Sequence, residues 1–238
     1  MRDGSLVLLV DGSEQSLIDP RSPDALDLEY MARLGAVVDA VGPAGEPLRV
    51  LHLGAGALSL ARYVASTRPG SEQTVIEKSA GLVGFVLEHA PLPPGARLRV
   101  VEADAAHGPP GMRADLVVLD VYDGDEIPEA FYRGEVLGRL ADTVDTGGLL
   151  AVNVADDADH RRLRRLTAAL RLVLPVVAAV GPAEFARGRG DGNAILLASR
   201  DELAARTASH LLEAGPHPVA AVAQCDVVPL EVAVEVDP

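Results

Sequence analysis

The chain has a single cysteine, a single lysine among its 21 Lys and Arg residues, and no apolar run as long as a membrane span. One cysteine, Cys225, excludes an intrachain disulfide and a thiolate zinc cluster. It sits in an apolar tail, where a lone thiol behaves as a small buried hydrophobe. Of the six histidines, His52 and His107 flank the predicted pocket and His160, His210 and His217 are scattered, so no metal site is expected. The first residues, Met1-Arg-Asp-Gly-Ser5, lead straight into a strand-like run and lack the shape of a signal peptide, which points to the cytoplasm. A formal charge of −14 repels duplex nucleic acid and other polyanions, and it is compatible with a cationic or neutral substrate. The scarcity of lysine, Lys78 being the only one, is read as composition and not as function.

What is present is hydrophobic residue, 48% of the chain, enough for one good-sized α/β domain with a small appendage. The organising stretch is residues 48–77. It opens on a short apolar run, Leu48-Arg-Val-Leu-His-Leu53, suited to a buried strand. Gly54-Ala-Gly56 follows as a turn, then residues 57–64 with helical apolar spacing, and Pro69-Gly70 as a stop. Thr74-Val-Ile76 makes a second strand, with Glu77 at its carboxyl end. Strand, Gly-x-Gly, helix, strand and acid form the first unit of a nucleoside-binding α/β fold, the acid being placed to accept hydrogen bonds from ribose hydroxyls. The third glycine of the dinucleotide fingerprint is missing, since Ala57, Leu58 and Ser59 follow Gly56. That favours a nucleoside without phosphates, such as an adenosyl sulfonium, over NAD.

Ahead of this unit, residues 6–10 and 15–18 flank Asp11-Gly12 and read as a hairpin. A helix is expected from Asp24, with Leu26, Tyr30 and Leu34 on one face, and a linker at residues 42–47. Beyond Glu77, helices are expected at 82–89, 127–140, 157–172 and 201–214, and strands at 98–102, 115–119, 147–154, 172–180 and 193–198. The basic face at Arg161, Arg162, Arg164 and Arg165 reads as solvated or paired with acids. The expected organisation is a hairpin and helix over residues 1–45, a nucleoside-binding domain over 46–200, and a closing helix with an apolar, β-prone tail over 201–238. The fold class is α/β, a Rossmann-like, mostly parallel sheet of seven strands with a small N-terminal hairpin. Such sheets bind ligands beyond the carboxyl ends of their strands. Glu77, Asp104, Asp120 and Asp123 all fall at or just past such ends.

Three motifs resemble the spermidine/spermine synthase family, aminopropyltransferases on the class I AdoMet-methyltransferase fold, in its shorter bacterial form. Val10-Asp-Gly-Ser-Glu-Gln15 is similar to the family's L-D-G-x-x-Q hairpin. Leu53-Gly-Ala-Gly56 with Glu77 is similar to its glycine loop and ribose acid. Leu119-Asp-Val-Tyr-Asp-Gly124, followed by Pro128 and Phe131-Tyr132, is similar to its D-x-x-D catalytic loop. The resemblance implies decarboxylated AdoMet, or AdoMet itself, as co-substrate, a small cationic amine as acceptor, a homodimer, and no metal. It implies Asp120 as the base, Asp123 as the amine anchor with Tyr122 and Glu29 lining the substrate, and Gln15, Gly54, Gly56, Glu77 and Asp104 around the nucleoside.

Two positions depart from the family. Its glycine loop reads G-G-G-D-G, and Ala57 stands where the aspartate would grip the aminopropyl ammonium. The tyrosine that orients the amine aligns with Leu28, Glu29 replaces a glutamine, and Tyr30 is a neighbour. Two other functions therefore stay open: an AdoMet-dependent methyltransferase, and a non-catalytic homologue that binds a nucleoside or a protein partner.

Overall fold

A computed structural model describes residues 5–10, 13–108, 111–124 and 126–222. The Asp11-Gly12 turn and the tail beyond 222, with Cys225, lie outside the described residues. The chain opens on β1 (Leu6–Val10) and β2 (Ser13–Ile18), an antiparallel pair forming its own two-stranded sheet. The first helix, α1 (Glu29–Ala40), begins five residues later than Asp24. Residues 19–25 instead make consecutive turns, closed by the Ser22 N–H on the Asp19 carbonyl and the Ala25 N–H on the Ser22 carbonyl.

The main sheet then alternates with helices: β3 (Arg49–Leu53), α2 (Ser59–Thr67), β4 (Glu72–Glu77), α3 (Ala80–His89), β5 (Arg97–Glu102), β6 (Ala114–Leu119), α4 (Gly134–Thr143), β7 (Val144–Asp156), α5 (Arg161–Leu170), β8 (Val176–Pro182), α6 (Ala183–Ala186), β9 (Gly192–Ser199), α7 (Leu203–Ala214) and β10 (Val219–Ala221). Its order is β10-β8-β9-β7-β6-β3-β4-β5. The five strands from β7 to β5 are mutually parallel, and β9 and β10 run against their neighbours. The strand count is eight and not the expected seven, because the start of the apolar tail, β10, pairs with the outer edge of β8. The helix expected over 127–140 is also divided. A 3-10 turn, Glu129–Tyr132, ends at the extended Arg133, and α4 starts at Gly134. The break seats Phe131 in the core.

Burial on both faces explains the continuous apolar runs of the central strands. One face packs Leu34, Val37, Leu60, Val64 and Leu211 from α1, α2 and α7. The other packs Leu137, Leu140, Leu163, Leu166 and Leu170 from α4 and α5. Buried Arg68 ties α1 to the linker after it. Its guanidinium donates to the carbonyls of Val38 (2.7 Å), Asp39 (3.0 Å), Glu46 (3.3 Å) and Pro43. The carbonyls at the end of α1, which no helical N–H reaches, are thus satisfied by a planar fork that lysine could not reproduce.

Candidate active site

The sheet order reverses at β3, which lies between β4 and β6, and a cavity of about 1010 Å³ opens beyond the carboxyl ends of these strands. Its floor is where β3 and β6 end. The Asp120 N–H donates to the Leu53 carbonyl (3.0 Å), and the Gly54 N–H donates to the Ile76 carbonyl (2.9 Å). Gly54 has φ +93, and a Cβ there would stand 2.3 Å from the Asp120 carbonyl oxygen, so only glycine lets the two loops approach. At Gly56 a Cβ would meet Ser16 Oγ at 2.7 Å. Ser16, from the hairpin, accepts the Ala57 N–H at 3.2 Å, which binds the hairpin to the glycine loop.

Glu77 is held by the backbone on both carboxylate oxygens: Oε2 accepts the Ala55 N–H (3.0 Å) and Oε1 accepts the Ser79 N–H (2.9 Å). Each oxygen keeps a further lone pair for a hydroxyl. Asp104 lies at the same end. Its Oδ1 accepts the Ala106 N–H (2.9 Å), and Lys78 Nζ stands 3.7 Å from its Oδ2. Gly54, Gly56, Glu77, Asp104, Asp120, Tyr122 and Asp123 all line the one cavity. The Gln15 side chain is not among the described atoms. Glu29 does not line the cavity; its carboxylate pairs with Arg33 one turn along α1. Ala57 is buried beside Ile18 and Ala90, under the hairpin, and no carboxylate occupies its place.

Asp120 lies against the inner wall. Its Oδ1 accepts from Asn153 Nδ2 at 2.8 Å, and Asn153 Oδ1 in turn accepts from Asn193 Nδ2 at 3.0 Å. Burial raises the carboxyl pKa above the ordinary aspartate value, and the Asn153 hydrogen bond works against that rise. Two tyrosines adjoin it. The Tyr122 hydroxyl is locked, donating to the Asn153 carbonyl (2.9 Å) and accepting the Ala155 N–H (2.9 Å), so its ring and not its hydroxyl serves the cavity. Tyr30 lines the cavity, and burial first, then the Asp120 charge, pushes its pKa up. Asp123 is exposed at the mouth, where its N–H donates to the Glu126 carbonyl (2.9 Å). It also borders a second hollow of about 410 Å³ that holds much of the basic face of α5. There Arg162 and Arg165 are engaged by Glu126 and Glu129, as the sequence suggested for that face.

Motif reading missed Tyr30, Asn153, Asn193 and Ser16. Asn153 had a signal, one amide inside the apolar run Leu149-Leu-Ala-Val-Asn-Val154. Asn193 had none, since only the antiparallel pairing of β7 with β9 brings it across. His52, which flanks the pocket, is packed away: its Nε2 meets Gln73 Oε1 at 2.9 Å, and burial lowers its pKa to about 4. Among the described residues no group of three or more His, Cys, Asp or Glu is placed to hold a metal ion, and no helix is long and apolar enough to cross a membrane.

No protein-family model and no curated protein sequence matches the chain. Solved structures do. A probable spermidine synthase from Corynebacterium glutamicum is 27% identical with a TM-score of 0.79, over 92% of this chain and 82% of that one. A spermidine synthase bound to the transition-state analogue AdoDATO gives a TM-score of 0.65 at 16% identity, over 84% and 68%. Human methyltransferase-like protein 13, bound to SAH, gives 0.59 at 19% identity, over 78% and 91%. The protein has the AdoMet-methyltransferase type of α/β fold. Within that class it is similar to spermidine synthases, and these structural neighbours support the resemblance that its motifs suggest.

Proposed function

We propose that the protein is an aminopropyltransferase that moves the aminopropyl group of decarboxylated AdoMet to a small cationic amine. The observation that carries this reading is Asp120, a cavity-lining carboxylate with a raised pKa, beside Asp123 and at the same sheet edge as Glu77. Structural neighbours with SAH and AdoDATO bound support an adenosyl sulfonium in such a fold. The acceptor enters as an ammonium, since amines of this kind hold their proton up to a pKa of about 10.4. Asp123 anchors it, Asp120 takes one proton, and the freed nitrogen attacks the methylene carbon next to sulfur. The C–S bond breaks as the C–N bond forms, and methylthioadenosine leaves as a neutral thioether. A carboxylate whose pKa is raised is a stronger base than an ordinary one. Glu77 holds the ribose hydroxyls and Asp104 the adenine amino group.

One observation favours methyl transfer as a second reading. The position of the family's aspartate, Ala57, is buried and apolar, so nothing there repels the carboxylate of intact AdoMet. Calorimetric binding of methylthioadenosine, AdoMet and decarboxylated AdoMet separates the two. Binding of the first and third alone, with methylthioadenosine formed from putrescine, is the expected result. Asp120→Asn should then lower turnover by about 10²- to 10⁴-fold. Tighter binding of AdoMet, with no methylthioadenosine above a blank, overturns the proposal in favour of methyl transfer.

A further inference from the structure

Asp120 does not stand alone in the wall of the cavity. Asn153, 2% exposed, donates to its Oδ1, and Asn193, one strand further out, donates to Asn153. Chemistry fixes the direction of this chain. An ionised carboxylate only accepts, so the Asn153 amide must turn its NH2 inward; its oxygen then faces β9, and Asn193 must donate to it. We propose that Asn153 and Asn193 are positioning residues for Asp120, a two-amide relay that holds one carboxylate oxygen and leaves the other for the acceptor amine. This rests on the reading of Asp120 given above. Among the described residues Oδ2 of Asp120 accepts no hydrogen bond. The Tyr122 hydroxyl, bonded to the Asn153 carbonyl and the Ala155 N–H, clamps the same stretch of β7 and fixes the backbone from which Asn153 projects.

The groups that face Asp120 come from several elements: Tyr30 on α1, Tyr122 and Asp123 in its own loop, Asn153 on β7, with Glu77 on β4 and Asn193 on β9 lining the same cavity. The one lining cation among the described residues, Lys78, lies beside Asp104. No positive charge is therefore arranged to hold Asp120 ionised, and the Asn153 hydrogen bond is what opposes its burial. That makes the relay adjustable. An amide polarised by a second amide donates more strongly than one left alone.

The test is a carbon-13 NMR titration of aspartate carboxyls in the ligand-free protein, with Asp120 assigned by its loss in Asp120→Asn. Asn153→Leu should raise the Asp120 midpoint by about one to two pH units. Asn193→Ala should move it the same way by less, and the double variant should match Asn153→Leu, because Asn193 acts only through Asn153. The acid limb of kcat/KM for methylthioadenosine formation should move with the midpoint, while the KM for the nucleoside stays put. Asn153→Ser, which keeps a donor, should restore part of the shift. A midpoint within about 0.3 unit of wild type in Asn153→Leu, or shifts that add in the double variant, overturns the relay. If Asn153→Leu does not fold, the half-buried Asn193 site carries the same test: an unchanged midpoint in Asn193→Ala overturns it. Absence of turnover with every amine would remove the aminopropyl reading and leave the titration to decide the relay.

Discussion

Replacing Gly54 by alanine tests the junction on which the site is built. The backbone there has φ +93, outside the regions that L residues favour, which costs about 1–3 kcal/mol. The added Cβ would stand 2.3 Å from the Asp120 carbonyl oxygen, and ordinary contact begins near 3.4 Å, so one loop must retreat by roughly 1 Å. That retreat strains the Asp120 N–H to Leu53 carbonyl bond (3.0 Å) or the Gly54 N–H to Ile76 carbonyl bond (2.9 Å), at about 1 kcal/mol each. The sum, about 2–5 kcal/mol, is a large share of a total stability of about 5–15. Urea unfolding followed by circular dichroism should show a lower midpoint with an unchanged slope. Gly56→Ala is the control. Its φ is +48, and its Cβ would meet Ser16 Oγ at 2.7 Å, a hydroxyl that can rotate away, so about 1 kcal/mol is expected. Because the carbonyl displaced in Gly54→Ala belongs to Asp120 itself, nucleoside binding and turnover should fall together. A Gly54→Ala protein within about 1 kcal/mol of wild type, or less perturbed than Gly56→Ala, refutes the argument.

Three further outcomes follow. The Asp120 pKa is raised by burial, so its ionisation destabilises the fold; stability is favoured below the unfolded value of 3.8 and is lost as pH rises through the folded value. Asp120→Asn should therefore melt higher than wild type at pH 7, and the gain should vanish at about pH 3. His52 works the other way: with its pKa lowered to about 4, the native state resists protonation, and stability should fall by about 3 kcal/mol as pH drops from about 6.5 to 4. His52→Gln should flatten that stretch of the stability profile. Ala57→Asp, which restores the aspartate of the family's glycine loop, would place a carboxylate beside Ile18 and Ala90. It should destabilise the protein by several kcal/mol and leave affinity for decarboxylated AdoMet no better; a tighter complex in calorimetry would show that the side chain reaches the cavity.

Much of the frame was legible because two periodicities differ. Residues 48–77 switch from a strand run to helical spacing and back, and parallel strands put Glu77, Asp104 and Asp120 at one edge. What escaped depends on contacts distant in sequence. Nothing near Asn193 marks it, for it reaches Asn153 only through antiparallel β7–β9 pairing. Glu29 looked available for a substrate until Arg33, one turn away, took its carboxylate. Leu28 aligns with the family tyrosine, yet Tyr30, two residues on, is the tyrosine that α1 brings beside Asp120, and both positions line the cavity. The helix over 127–140 broke at Arg133 because Phe131 is buried in the core, and hydrophobic spacing alone does not mark a 3-10 turn.

Arg68 carries a consequence of another kind. Its four partners are peptide carbonyls, which neither gain nor lose protons. The tie between α1 and the linker into β3 is therefore a charge contact with no acid at its other end. Counter-ions have no opposite charge there to screen, so added salt should leave this joint untouched while it loosens surface pairs such as Arg165 with Glu129. The stretch of chain that delivers Tyr30 to the cavity is thus fastened by a clasp indifferent to acidity and to ionic strength.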